Sequence, residues 1–219
     1  MVTDLEARPR LDLRGRTITT FIAYEVHDAL SRLDEGARLD VVTDASAAID
    51  TDLRAWCRTA GHRLVDPRTT GPTRTFTVDK GAPRRSERKF AAVINDDGLF
   101  ELLAPLGYAL AAALEGHEVS LYFQGPAVKV LADRYVAKMH GLGGPFSRFP
   151  RVGLAKAGHL PPQAKLGQLQ HLGARIYACG PSMDHFKVAP TNLAFDGVIV
   201  CEYLTFMEQL DAADIHLYA

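Results

Sequence analysis

The chain has 219 residues, 47% of them hydrophobic, and its 25 basic residues against 26 acidic ones give a formal net charge of −1. Balanced, interspersed charge excludes a long-range field that would steer the protein to nucleic acid or to an anionic membrane surface. No segment approaches the ~20 continuous apolar residues of a membrane helix, and no N-terminal apolar run suits a secretory signal, so a cytoplasmic protein without a membrane span is expected.

The length suits two modest domains of roughly 100–150 residues or less each. Leu11-Asp12-Leu13 alternates as a strand and stops at Gly15. Ile22, Val26, Ala29, Leu30 and Leu33 then recur at the spacing of one buried helical face, with Gly36 as the expected stop. Leu39 to Thr43 reads as a strand, and Ser46 is placed to cap a helix whose inner face carries Ile49, Leu53, Trp56, Cys57 and Ala60 before Gly61 closes it. Arg63 to Val65 and Thr73 to Val78 read as two strands separated by the turn-rich 66–72 segment. The order βαβαββ over residues 1–80 predicts a small α+β two-layer sandwich. Residues 81–88 are polar, carry Arg84, Arg85 and Arg88, and read as a linker.

From residue 89 to 219 the pattern changes to strands alternating with helices. Phe90 to Ile94, Val119 to Phe123, Ile176 to Ala178, Val198 to Val200 and Ile215 to Leu217 read as five strands. Helices are expected over Leu102 to Leu114, Ala127 to Met139 and Ala164 to Leu172. This alternation predicts right-handed βαβ units and a parallel sheet with helices on both faces, an α/β domain. Gly141 to Pro162 is irregular and rich in Gly and Pro, and reads either as a flap over a site or as an insertion without a role.

The chemistry concentrates at Ala178-Cys179-Gly180-Pro181-Ser182, where a buried strand ends and a helix begins. Open parallel sheets hold ligands at such carboxyl ends. Pro181 suits the first turn of a helix, and the free N–H groups there favour a thiolate, the nucleophilic form of cysteine. Cys179 is therefore the candidate catalytic nucleophile, with its sulfur expected at the mouth of the sheet. Asp184 and His185 follow as a possible acid–base pair, although Met183 and Phe186 define the inward face of that helix. Cys201 ends the neighbouring strand pattern and reads either as a resolving thiol or as a buried cysteine. Cys57 reads as packing beside Trp56. The histidines have no ligand-like spacing, no phosphate-binding glycine loop is present, and neither metal nor cofactor is expected.

Tyr177-Ala178-Cys179-Gly180-Pro181-Ser182-Met183, preceded by Gly173-Ala174-Arg175-Ile176 and followed by Glu202-Tyr203-Leu204-Thr205-Phe206, resembles the DsrE-like family over residues 89 to 219. That resemblance implies a flavodoxin-like α/β fold, frequent homo-oligomers and a persulfide on the residue matching Cys179. Leu11-Asp12-x-x-Gly15, Trp56-Cys57, Gly61-His62 and Thr75 to Lys80 are similar to TusA-like (SirA-like) proteins. There a Cys-Pro-x-Pro motif opens the first helix, whereas this chain has Ile18-Thr19-Thr20-Phe21, with neither the thiol nor the prolines.

The resemblance implies a sulfur carrier, or sulfurtransferase-like protein, that takes sulfane sulfur from one persulfide protein and passes it to an acceptor protein. A noncatalytic small-ligand-binding protein and a thiol redox sensor built on Cys179 and Cys201 are the alternatives. On the first reading, the N-terminal domain serves for docking, dimerising or shielding.

Overall fold

The computed structural model describes residues 8–82, 84–137 and 155–219. The chain divides into two compact units. The first runs to Arg85 and takes in Lys156–Gly158, and the second begins at Ser86 and holds His159–Ala219.

In the first unit the order is β1 (Arg10–Asp12), α1 (Thr19–Ser31), β2 (Arg38–Asp44), α2 (Ala47–Ala60), β3 (Arg63–Thr70) and β4 (Thr73–Asp79), the βαβαββ arrangement expected. The sheet order is β1-β2-β4-β3, with β1 and β2 parallel and the other pairs antiparallel. The pleat aligns the buried pairs Val41 with Phe76 and Leu39 with Val78. Ile22, Val26 and Leu30 of α1 and Ile49, Leu53 and Trp56 of α2 complete this core.

Three local expectations change. Helix α1 stops at Ser31, and Gly36 instead turns the chain with φ +79°, its N–H donating to the Lys80 carbonyl at 2.8 Å. Ser46 stands at the N-cap of α2 without a side-chain capping bond. The turn-rich stretch after Val65 is not a connector, because β3 continues through it to Thr70 with a register shift between Val65 and Arg68. Pro67 falls inside that shift, where a bulge leaves a residue unpaired and a missing N–H costs nothing.

Gly61 ends α2 in the left-handed region, φ +86°, and its carbonyl lies against Gly81. A Cβ on Gly81 would sit 2.0 Å from that backbone oxygen. The N–H of Gly81 donates to His62 Nδ1 at 3.2 Å, so the chain after Lys80 is laid directly on the end of α2. Ala157 is drawn into this unit as well, its carbonyl accepting from the N–H groups of Thr17 and Ile18 at 3.0 and 3.1 Å.

The second unit runs β5 (Lys89–Ile94), α3 (Leu99–Leu114), β6 (Glu118–Phe123), a 3-10 helix (Gly125–Leu131), α4 (Pro162–His171), β7 (Arg175–Cys179), α5 (Gly180–Phe186), β8 (Ile199–Cys201), α6 (Tyr203–Asp211) and β9 (Ile215–Tyr218). All five strands are parallel, in the order β8-β7-β6-β5-β9. From β5 to β8 each strand is laid beside the last in one direction, and β9 then returns to the far side of β5. Because such crossovers are right-handed, that reversal places α6 on the opposite face from the helices before it. The side chains agree. Phe206 of α6 stacks on Tyr122 with ring centroids 4.8 Å apart and meets Tyr177 edge-on at 5.2 Å. Aromatic contacts of this kind contribute about 1 kcal/mol each beyond the area they bury.

The helix expected over Ala127 to Met139 is instead the 3-10 turn, which ends at Leu131. Ala127, Val128, Val130 and Leu131 are all buried around the single charged Lys129, and the Gln163 amide donates to the carbonyls of Val130 and Ala132 where further turns would form. Most of the stretch from Gly141 to Pro162, read as a flap or insertion, lies outside the described residues. Among the described residues no helix is long and apolar enough to cross a membrane.

The Gly61–Gly81 contact leaves no room for a methyl group between two backbones. Gly81→Ala is expected to lower stability by about 1–3 kcal/mol, the usual range for forced overpacking, read as a lower thermal midpoint of the full chain. An unchanged midpoint would show that the contact yields easily.

Candidate functional site

Strand β7 is the second strand from one edge of the parallel sheet, and its last residue is Cys179. Cys179 is also the N-cap of α5, with extended backbone at φ −69° and ψ 112°, and Pro181 lies in the first turn. Ser182 fastens this corner, its Oγ accepting from the N–H of Gly125 at 2.9 Å at the end of β6. The strand-to-helix corner therefore stands where the sequence puts it.

Pleating decides what surrounds the sulfur. Residues 175, 177 and 179 share one face of β7, and the register aligns Tyr177 with Tyr122 on one side and with Ile199 on the other. Cys179 is aligned with Cys201 of β8. Thus Tyr122, Tyr177, Cys179 and Cys201 all project to the face covered by α6. The same face carries the polar contacts of Gln209, which meets Ser120 at 3.3 Å and Arg175 at 3.0 Å.

Cys179 itself is 2% exposed, so the sulfur expected at an open mouth is a buried one. The opening lies beside it. A cavity of about 600 Å³ is lined by Gly180 and the run from Val200 to Thr205, and Cys201, partly exposed, is the thiol on its wall. A second, smaller hollow of about 140 Å³ lies between α6 and the sheet, among Val93, Tyr122, Gln124 and Tyr218.

Electrostatics tie the two cysteines and Tyr122 together. The Tyr122 hydroxyl is buried without a well-aligned hydrogen-bond partner. Burial first, and then the adjoining Cys179 sulfur, raise its ionisation above the ordinary tyrosine range. The Cys201 thiol is pushed up by burial and, after that, by Cys179 beside it. A phenol that holds its proton is a donor at every ordinary pH, and a buried donor without a strong acceptor suits a sulfur that becomes negative.

The remaining sequence candidates fall elsewhere. Asp184 and His185 are exposed on α5 and line neither hollow, and the His185 ring rests edge-on against Phe186 with centroids 4.8 Å apart. Cys57 is buried in the first unit beside Trp56, and burial pushes its thiol up to about 12. Near the start of α1, Ile18 occupies the N-cap without a side-chain capping bond. Tyr122 and α6 are the parts of the site that sequence reasoning missed. The alternation in Val119 to Phe123 assigns Tyr122 a face but not a neighbour, and Tyr203 to Phe206 was read only as part of a motif.

The model of the DsrE/DsrF-like family matches residues 88–218. Among solved structures, the crystal structure of the YchN protein from E. coli is similar over 60% of this chain and 99% of its own, at 17% identity and a TM-score of 0.43. No curated protein matches the chain.

The exposure of the three thiols sets an order of reaction. Under native conditions iodoacetamide is expected to modify Cys201 first, Cys179 more slowly and Cys57 only on unfolding. Peptide mapping checks this, and early labelling of Cys57 would contradict it. The raised Cys57 ionisation also gives stability a pH dependence. The protonated thiol is favoured in the folded state, so its contribution is complete below the ordinary value of 9.0 and is lost as pH rises towards about 12. Cys57→Ala is expected to flatten the fall in unfolding free energy across that window.

Proposed function

Because the chain belongs to the DsrE/DsrF-like family over residues 88–218, a family associated with sulfur relay, we propose that it carries sulfane sulfur as a persulfide on Cys179. The observation that carries this reading is the placement of Cys179 at the carboxyl end of β7, turned into the start of α5 and set beside a second thiol and the unsatisfied Tyr122 hydroxyl. Sulfur exchange proceeds by attack of a thiolate on a sulfur–sulfur bond. The outer sulfur of a donor persulfide comes to rest on Cys179 as the donor departs as a thiolate, and transfer to an acceptor thiol later reverses the process. The Tyr122 O–H stabilises the anionic sulfur between the two events, and the buried position protects the persulfide from adventitious thiols. No cofactor enters this chemistry.

The donor and the acceptor are persulfide-handling proteins, and the second unit offers surface for them. Val200 is 47% and Leu204 87% exposed, with Tyr203 and Met207 also presented to solvent. Apolar side chains gathered at one edge and on one helix favour docking by another protein or by further copies of this chain, a homo-oligomer. The first unit has a TusA-like pattern without its thiol and acts in docking, dimerising or shielding rather than in chemistry. Its one cysteine, Cys57, is buried and holds its proton too firmly to exchange sulfur.

The cross-strand alignment of Cys179 with Cys201 also favours a second reading, a redox-sensing disulfide, since paired residues on adjacent strands lie within the Cα range a disulfide spans. Treatment with a persulfide donor followed by alkylation and tryptic mapping separates the readings. The peptide from Ile176 to Lys187, which holds Cys179, is expected to gain the mass of one sulfur atom. Its absence there, with Cys179 found joined to Cys201 instead, would overturn the carrier.

A further inference from the structure

We propose that Cys201 is the port through which sulfane sulfur reaches and leaves Cys179, so that the two thiols form an internal relay between the cavity and a buried store. This rests on the reading of Cys179 as the sulfur-bearing residue and specifies its route.

The need for a port follows from burial. Cys179 is 2% exposed and is absent from the wall of the neighbouring cavity, so a donor thiol has no direct approach to it. Cys201 lines that cavity and is partly exposed. The two residues are register partners on parallel strands, and in-register side chains project to the same face. Adjacent strands lie about 4.8 Å apart, and a persulfide extends its residue by one S–S bond of about 2.05 Å. The outer sulfur on one cysteine is thus delivered to its neighbour without movement of the backbone.

Each step conserves atoms and electrons. A donor R–S–SH meets the Cys201 thiolate, which attacks the outer sulfur. The donor S–S bond breaks, R–S⁻ leaves with the electron pair, and Cys201–S–SH forms. Cys179 then attacks the same outer sulfur, one S–S bond again forms as one breaks, and the proton given up by Cys179 is taken by the departing Cys201 thiolate. The result is Cys179–S–SH and Cys201–SH, with no net oxidation. Release is the reverse sequence, ending on an acceptor thiol in the cavity. The register pairing of the two thiols supports this exchange, because it sets each within reach of the other. Glu202, beside Cys201 and at the N-cap of α6, adds a carboxyl group to the wall of the port.

The test uses the full chain and glutathione persulfide, a low-molecular-weight donor, with quenching by alkylation at successive times. Trypsin separates the thiols, since the peptide from Ile176 to Lys187 holds Cys179 and the peptide from Val188 to Ala219 holds Cys201. In the wild type the added sulfur is expected on the Cys201 peptide first and on the Cys179 peptide afterwards. Cys201→Ser is expected to slow loading of Cys179 by about tenfold or more, while Cys179→Ser still accepts sulfur at Cys201. Loading of Cys179 in Cys201→Ser at the wild-type rate overturns the port and leaves the carrier standing. Sulfur that never reaches Cys179 in the wild type overturns the carrier as well. Stoichiometric release of hydrosulfide with a Cys179–Cys201 disulfide overturns the relay, because the attack then falls on the inner sulfur. The order of labelling in the wild type needs no variant, so a misfolded Cys201→Ser does not obscure the outcome.

Discussion

The arrangement of the second unit depends on where its last crossover goes. Four strands are laid down side by side, and the chain then crosses the whole sheet to add β9 beside β5. Handedness forces the connecting helix onto the face the others leave open. Among the described residues, a single helix of nine residues therefore covers a face of five strands. It is anchored by Phe206 on Tyr122 and Tyr177, near the middle of the sheet, and leaves the β8 side thinly covered. The cavity beside Cys201 is the space that results, with Cys201 on its wall and Cys179 buried behind it on the next strand.

Burial then divides labour between groups that sequence alone treats alike. Cys57 and Cys179 are nearly equally buried, yet their surroundings differ in kind. For Cys57, removal from water alone holds the proton. Cys179 has a phenol and a second thiol at hand, and its influence is felt in the raised ionisation of both neighbours. A low-dielectric setting strengthens whatever polar contacts it contains, so the same degree of enclosure silences one cysteine and couples the other.

Local grammar made much of this legible. The apolar run ending at Cys179, the glycine and the proline after it are a strand-to-helix corner in any context, and the alternation of periods marked both units. What escaped was non-local. The register that sets Cys179 against Cys201 depends on two parallel strands joined through a twenty-one-residue excursion, so the sequence offers Cys201 as a resolving thiol or a buried cysteine without deciding between them. Tyr122 escaped for the same reason. The 3-10 turn at Gly125 escaped because apolar residues flank Lys129 on both sides, so periodicity could not reveal how tightly the chain winds. Asp184 and His185 looked like partners by proximity in sequence, but α5 is a single short helix whose inward position is taken by Met183.

The tight stacking of the chain against the end of α2 has a bearing on how the protein reports on itself. Trp56, the only tryptophan in the sequence, is buried in the first unit with its ring 5.5 Å from that of His62. Indole emission is therefore a signal from one half of the molecule, tuned by an imidazole neighbour, while the half that holds Tyr122, Tyr177 and Tyr203 absorbs and emits through phenols alone. Indole emission thus follows the first half with no label attached, while the phenol signal of the second half is shared only with Tyr24 of α1.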